Sequence, residues 1–306
     1  MSLKDVIRSI TPKFLLNLNR QRKKKNVNES LNQQKTKGDV ISEAQLINDL
    51  LAIGIKKGDT LLVHSSLSKM GYLKDGPKTF VDALLTAVGE TGNILMPTSP
   101  NAVFQLNYIQ NTPFFDVTTS PSKLGAITEY FRTLPNSVRS LSPTEPVSAI
   151  GPLADYFTKD HFNQLTPYNK NSPFYKVGEQ NGKILYIGVT LDNAGTSLHT
   201  LEDEIVDFKY PVYYPTTFDF TVIDKAGQNH KVKTKVHNPE WSKKRKCDGL
   251  IPLFESENVL KKVKIGKADT LLVDANGFFK TMVNQYKSKG VTMYTPNGDK
   301  NVTTTK

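Results

Sequence analysis

The chain has a single cysteine, Cys247, among 306 residues. One thiol cannot close an internal disulfide, and it cannot build a cysteine-based zinc or iron–sulfur site. No apolar run approaches the roughly 18 residues needed to span a bilayer, and the N-terminus lacks a continuous apolar signal core with a cleavage site. A cytoplasmic location is therefore expected, with no transmembrane segment. Motifs are missing too: there is no GxxxxGKS/T phosphate loop, no GxGxxG after a strand, no GxSxG elbow, no HExxH and no close histidine pair. Nucleotidyl, dinucleotide, serine-hydrolase and zinc-protease chemistries thereby lose their usual signatures, and no metal is expected. The absence of a hexapeptide repeat removes one common acyltransferase architecture.

What is present is globular: 38% hydrophobic residues, 23% charged, 15 Phe and 12 Tyr can supply a sizeable core. One large domain is expected. The formal charge of +11 is unevenly placed, since residues 1–40 hold ten Lys or Arg against three acids, a net +7, which leaves +4 for the rest. Residues 4–25 alternate apolar clusters with basic residues and end in the run at 22–25. Two readings stand: a helix lying on anionic lipid, giving peripheral contact with the inner membrane face, or a helix packed on its own protein or a partner subunit. Pro12 interrupts either one. No recognition motif accompanies the charge, so nucleic acid is not an expected partner. Residues 26–38 are polar and aperiodic and read as a linker, which divides the chain into a basic segment and linker (1–38), a catalytic domain (39–294) and a loose tail (295–306).

Within that domain, Ser42 and Gln45 form a capping-box pattern ahead of the apolar positions Ala44, Leu46, Ile47, Leu50 and Leu51, and Gly54 closes the helix. Strand-type runs at 60–64, 93–98, 147–151, 183–189 and 270–275 alternate with helical patterns at 77–88, 124–133, 196–207 and 276–288. Strands separated by helices predict an α/β fold, three-layer α/β/α, with a central mixed, largely parallel sheet. FDFTVI and HKVKTKV flank the turn DKAGQN, so an antiparallel excursion is expected near 216–236.

Chemistry-bearing residues gather on loops after strands, where ligand sites of open α/β sheets lie. Ser65, Ser66 and Ser68 follow TLLVH, and their hydroxyls and backbone N–H groups could hold phosphate or carbonyl oxygen, or merely cap a turn. Residues 118–125 (TTSPSKLG) place hydroxyls and Lys123 at a helix N-terminus, a natural anion site. In TSLHTLEDEI, residues 196–205, His199 and Glu202 are three apart, so on a helix the carboxylate can fix the imidazole tautomer; a plain surface contact is the alternative. Asp203 points about 100° away from Glu202 on such a helix and cannot serve equally.

The segments GDTLLVHSSLSKMGYL, PSKLGAITEYF, RSLSPTEPVSAIGP and GTSLHTLEDE, in this order, resemble the aminoglycoside 3-N-acetyltransferase family over roughly residues 40–290. The resemblance implies an α/β/α enzyme that passes an acetyl group from acetyl-coenzyme A to an amine. It implies coenzyme A along His64, Ser65, Ser66 and Leu67 and against Ser122, Lys123 and Gly125, His199 as general base, and Glu202 as its support. A sugar amine must lose a proton to attack a thioester, so a base with a pKa near 7, raised by its carboxylate, is expected.

Where the family reads Arg-Ser-x-His-Pro this chain has Ser142 in place of the histidine, and TLDNAGTSLH departs from the family's usual sequence. Ser142, Glu145, Asp192 and Asn193 are the candidate acceptor contacts. Because aminoglycosides are polycations and this domain is net basic with a KKRK run at 243–246, the charge points to an anionic acceptor: a nucleotide-linked amino-deoxysugar of surface polysaccharide (O-antigen or capsule) synthesis. Aminoglycoside acetylation conferring antibiotic resistance is the alternative, and an inactive coenzyme A-binding member is a third. The run at 243–246 could equally be a solvated loop. Oligomeric state, nucleotide and sugar are not encoded in any recognisable motif.

Overall fold

The computed structural model describes residues 13–101 and 104–299. Its strands in chain order are β1 (Val40–Ile41), β2 (Thr60–Ser65), β3 (Tyr72–Leu73), β4 (Asn93–Pro97), β5 (Phe114–Asp116) and β6 (Val138–Arg139). They continue as β7 (Val147–Ile150), β8 (Lys183–Ile187), β9 (Phe218–Ile223), β10 (Asn229–Thr234), β11 (Leu260–Ile265) and β12 (Ala268–Asp274). Six helices matter for the architecture: α1 (Lys13–Thr36), α2 (Glu43–Ala52), α3 (Pro77–Val88), α4 (Ala126–Arg132), α5 (Pro173–Glu179) and α6 (Ala275–Lys289).

The main sheet has seven strands in the order β11-β12-β8-β2-β4-β7-β6. Only β2 with β4 and β2 with β8 pair in parallel; every other neighbouring pair is antiparallel. The parallel part is thus the centre of a mixed sheet, a smaller share than the largely parallel sheet expected, because hairpin-type connections such as β11 to β12 add the edges. Alternation of side chains across the pleat builds both layers. Leu61, Val63, Ile94, Met96, Leu185 and Ile187 face a core shared with α2, α3 and α4, whereas Leu62, Leu95, Ile184 and Tyr186 face one shared with α5 and α6. Burying a side chain of this size contributes about 1.5–3 kcal/mol. That explains why the central strands read as unbroken apolar runs.

Local signals set the helix ends. Ser42 Oγ accepts from the backbone N–H of Gln45 at 3.1 Å and starts α2. Pro77 opens α3 and Gly89, at φ 65°, ends it.

Three expectations, on the linker, the helix at 196–207 and the tail, are corrected. The linker at 26–38 is largely helix: α1 runs over 24 residues without Gly or Pro, and its last turn docks when Gln34 Oε1 accepts from Tyr72 N (3.2 Å) and Lys267 Nζ (2.9 Å). Of the basic segment at 4–25, residues 4–12 lie outside the described ones, and Leu15 and Leu18 on α1 are exposed. The antiparallel excursion expected near 216–236 is present as the hairpin of β9 and β10, which together with β5 forms a separate three-stranded sheet over its own small core of Phe115, Phe220, Val222 and Val232. The helix at 196–207 is a 3₁₀ turn, Thr196–His199, followed by a short helix, Thr200–Glu204. The tail is tied down at first, Thr295 Oγ1 donating to Gly290 O at 2.8 Å and Asp299 pairing with Lys209. Among the described residues no helix is long and apolar enough to cross a membrane.

Candidate active site

A cavity of about 330 Å³ opens at the C-terminal ends of β2, β4 and β8. The two strands parallel to β2, β4 and β8, flank it on opposite sides, and such a switch of direction in strand order leaves a crevice at strand ends. His64 and Ser65 end β2, Pro97 ends β4, and Val189 follows β8; all four line the wall. Between β8 and Val189 stands Gly188 at φ 65°, where an added Cβ would meet Lys69 Cβ at 2.4 Å, so the turn that opens the cavity needs glycine. His64 stacks on Tyr186 with centroids 4.9 Å apart, and Ser65 Oγ is buried without a partner among the described residues.

Opposite this edge lies a buried carboxylate, Glu202. Its Oε2 accepts from His199 Nδ1 at 2.9 Å and from His237 Nε2 at 2.8 Å, while Oε1 accepts from Tyr294 Oη at 2.7 Å. The 3₁₀ turn just before the short helix is what brings His199 and Glu202 together, and both histidines line the cavity. Asp203 faces elsewhere and accepts from Tyr213 Oη at 2.7 Å and Tyr168 N at 3.1 Å, as the angular argument requires.

Burial opposes ionisation of Glu202, but the electrostatic pull and hydrogen bonds of His199 and His237 outweigh it and hold the carboxyl well below the usual carboxylate range. For His199 the balance reverses. Burial, with Arg245 adding to it, outweighs Glu202 and pushes the imidazole down to about 3. The expected value near 7 is therefore corrected: desolvation in a closed site wins over one carboxylate. Neutral His199, with Nδ1–H donated to Glu202, has its Nε2 lone pair left for the cavity. His64 is likewise pushed down to about 3 by burial. Glu145 lies in the wall, accepting from Ser99 Oγ and Gln105 Nε2, both at 2.7 Å, and burial raises its pKa. His199, Glu202 and His237 have ligand atoms within 4.8 Å of one another, a set able to hold a metal ion, but here those atoms are engaged with one another.

The sequence-derived residues divide. His64, Ser65, Glu145, Asn193 and His199 line the cavity, with Glu202 behind His199. Ser66 and Leu67 instead start the 3₁₀ turn after β2. Ser122, Lys123 and Gly125 are also outside the wall, which takes their neighbours Leu124 and Thr128; Ser122 Oγ is bonded to Thr128 Oγ1 at 2.7 Å and its N–H to Glu129 at 2.6 Å. Asp192 is exposed and pairs reciprocally with Asp248, the backbone N–H of each donating to the other's carboxylate, and Ser142 is buried away from the wall. The KKRK run is not a uniformly solvated loop: Lys243 and Lys244 are exposed, but Arg245 turns into the cavity, bonded to Ser242 Oγ at 3.0 Å.

His237, Tyr168 and Tyr294 escaped the sequence reading, and Arg245 entered it only as part of the basic run at 243–246. They stand far from TSLHTLEDEI in the chain, so no spacing could reveal them; the one available signal was that His237 is among only five histidines.

Three comparisons bear on this geometry. A family model described as aminoglycoside 3-N-acetyltransferase matches residues 62–287. An aminoglycoside N(3)-acetyltransferase IV from Salmonella is 37% identical over 162 residues, covering 52% of this chain and 58% of that protein. The chain spans about three fifths of that relative and of a type VIII enzyme from Streptomyces fradiae. Among solved structures, AAC-IIIb in binary complex with CoASH superposes with a TM-score of 0.68 at 26% identity, covering 81% of this chain and 97% of that one. AAC-VIa bound to sisomicin gives a TM-score of 0.66 at 27% identity over 80% and 96% of the two chains.

Proposed function

The chain belongs to the aminoglycoside 3-N-acetyltransferase family, and from that premise we propose that it transfers the acetyl group of acetyl-coenzyme A to an amine of an aminoglycoside, with His199 as general base. The observation that carries this reading is the His199 Nδ1 to Glu202 Oε2 contact of 2.9 Å at the wall of the strand-end cavity. A neutral imidazole tautomer with its second nitrogen free is what proton removal needs.

A base with so low a pKa does not strip a free ammonium ion. It takes the proton as the nitrogen attacks the thioester carbonyl, when that nitrogen becomes strongly acidic. The N–C bond forms, the C–S bond breaks, and the proton held at His199 Nε2 passes to the departing thiolate, so one N–H is exchanged for one S–H. Glu202 stabilises the transient imidazolium, and the unpartnered Ser65 hydroxyl is a donor for the developing oxyanion. Glu145 offers a carboxylate to an acceptor ammonium group.

The nucleotide-linked amino sugar expected from net charge is overturned. The relatives are named as aminoglycoside acetyltransferases, and one structural neighbour holds sisomicin. The charge argument misled because most of the excess lies in residues 1–40, none of whose described residues lines the cavity, while Arg245, in the cavity wall, is a counter-charge to Glu202. Thiol release by purified protein given acetyl-coenzyme A and an aminoglycoside panel, with mass analysis of the product, tests the reading. Binding of coenzyme A with no acetylated product from any member would defeat it.

A further inference from the structure

The cavity wall carries a cation, and we propose that Arg245 is the specificity-determining residue for the acceptor: its guanidinium donates to a hydroxyl of the aminoglycoside and excludes an ammonium group from that position. Members of the class bearing a hydroxyl there are preferred over members bearing an amine. The inference rests on the acceptor being an aminoglycoside whose amine is delivered to His199.

Among the described residues lining the cavity, Arg245 is the one permanent cation and Glu145 the one acid. Glu202, behind His199, answers the charge of Arg245 and is occupied by its own three donors. Glu145 is therefore the carboxylate the wall offers to ammonium groups of an acceptor, and it already accepts from Ser99 Oγ and Gln105 Nε2. Solvation gives a basic run no reason to turn inward, but the main chain holds this arginine there. Lys244 and Lys246 are exposed on either side of it, and Lys244 Nζ lies over the Trp241 ring, 4.1 Å from its centroid. Lys246 N donates to Met293 O at 2.7 Å, and Cys247 beyond is buried. The guanidinium is not consumed by the protein: Nη2 donates to Ser242 Oγ at 3.0 Å, and the buried Nε has no partner among the described residues. A guanidinium offers N–H donors and no acceptor, and so does an ammonium, so the two cannot hydrogen-bond and their charges repel. A hydroxyl oxygen can accept. Leaving such a donor unpaired costs on the order of tenfold in binding, and a site that uses a substrate hydroxyl rejects the analogue lacking it.

Two matched pairs of probes measure this: kanamycin A against kanamycin B, and paromomycin I against neomycin B, the first of each pair having a hydroxyl where the second has an amine. The expected result is a kcat/KM at least about tenfold higher for the hydroxyl member of one or both pairs, expressed in the acceptor KM, and a ratio within about twofold of unity in Arg245→Gln. Arg245→Lys, which keeps the charge, should keep the direction of the preference. Because each ratio is taken within one variant, a smaller folded fraction or a weaker base cancels from it. Wild-type ratios near unity in both pairs, or a wild-type preference undiminished in Arg245→Gln, would overturn the proposal. Calorimetric Kd values of the four probes for wild-type protein saturated with coenzyme A need no variant, and equal values within both pairs overturn it as well. The two levels separate. If no probe is acetylated, the aminoglycoside reading falls and this inference with it; if all four are acetylated without preference, only the role of Arg245 falls.

Discussion

The same kind of contact, imidazole to carboxylate, occurs in two different settings of the described structure. At the hairpin of β9 and β10, His230 Nε2 meets Asp224 Oδ2 at 2.7 Å, with about a quarter of each side chain exposed. In the cavity wall, His199 Nδ1 meets Glu202 Oε2 at 2.9 Å with at most a twentieth exposed. Distance alone does not distinguish them. Asp224 also accepts from the backbone of Ala226 and Gln228, so its pair pins a turn that water screens. Glu202 is buried and receives three side-chain donors, so its charge and the tautomer of its partner become fixed properties of the fold. Burial, not proximity, turns an imidazole–carboxylate contact into machinery.

The largest expected effect comes from breaking the buried pair. His199→Ala should lower kcat by about 10²- to 10⁴-fold, while His230→Ala leaves it unchanged in the same thiol-release assay. Glu202→Gln should fall in the same range with the fold retained, because an amide can donate to His199 and select the wrong tautomer. Equal losses at both sites would mean that the assay reads folding.

Legibility followed the range of each interaction. The β2, β4, β7 and β8 strands and helices α2, α3 and α6 could be located because each carries its own apolar pattern and stop signals, and the His199–Glu202 pair because three residues separate them. His237 and Tyr294 were not legible: they meet Glu202 only after the chain between them has folded. The hairpin itself was legible, but its partner β5 was not, being a three-residue strand with no pattern of its own. The pKa of His199 was misjudged because a sequence shows the neighbouring carboxylate but not the burial.

A medium-sized effect sharpens the contrast through pH. Burial pushes His64 and His199 down to about 3 and His161 to about 4. Their folded values lie below the unfolded 6.5, so the unfolded chain binds more protons, and the stability they confer is present above pH 6.5 and lost as pH falls. Between pH 7 and 5.5 each should forfeit roughly 1 kcal/mol, lowering the melting temperature by about 5–10 °C in total. A melting curve flat over that interval would contradict this burial. In the same range His199 stays unprotonated, so the acidic limb of kcat/KM should follow the pKa of the acceptor amine when acceptors are exchanged.

The smallest effect concerns α1. We propose that residues 39–294 carry the catalytic domain, so removing residues 1–30 should change kcat by less than about twofold, leaving the Gln34 contacts in place. A larger loss would give the basic helix a part in turnover.

The most direct measurement is the position of the reacting amine in crystals grown with coenzyme A and an aminoglycoside. The account expects that nitrogen within about 3.2 Å of His199 Nε2, on the cavity side of the ring whose Nδ1 is bonded to Glu202. An amine seated out of reach of that nitrogen, with His199 facing away from the coenzyme A sulfur, would contradict it.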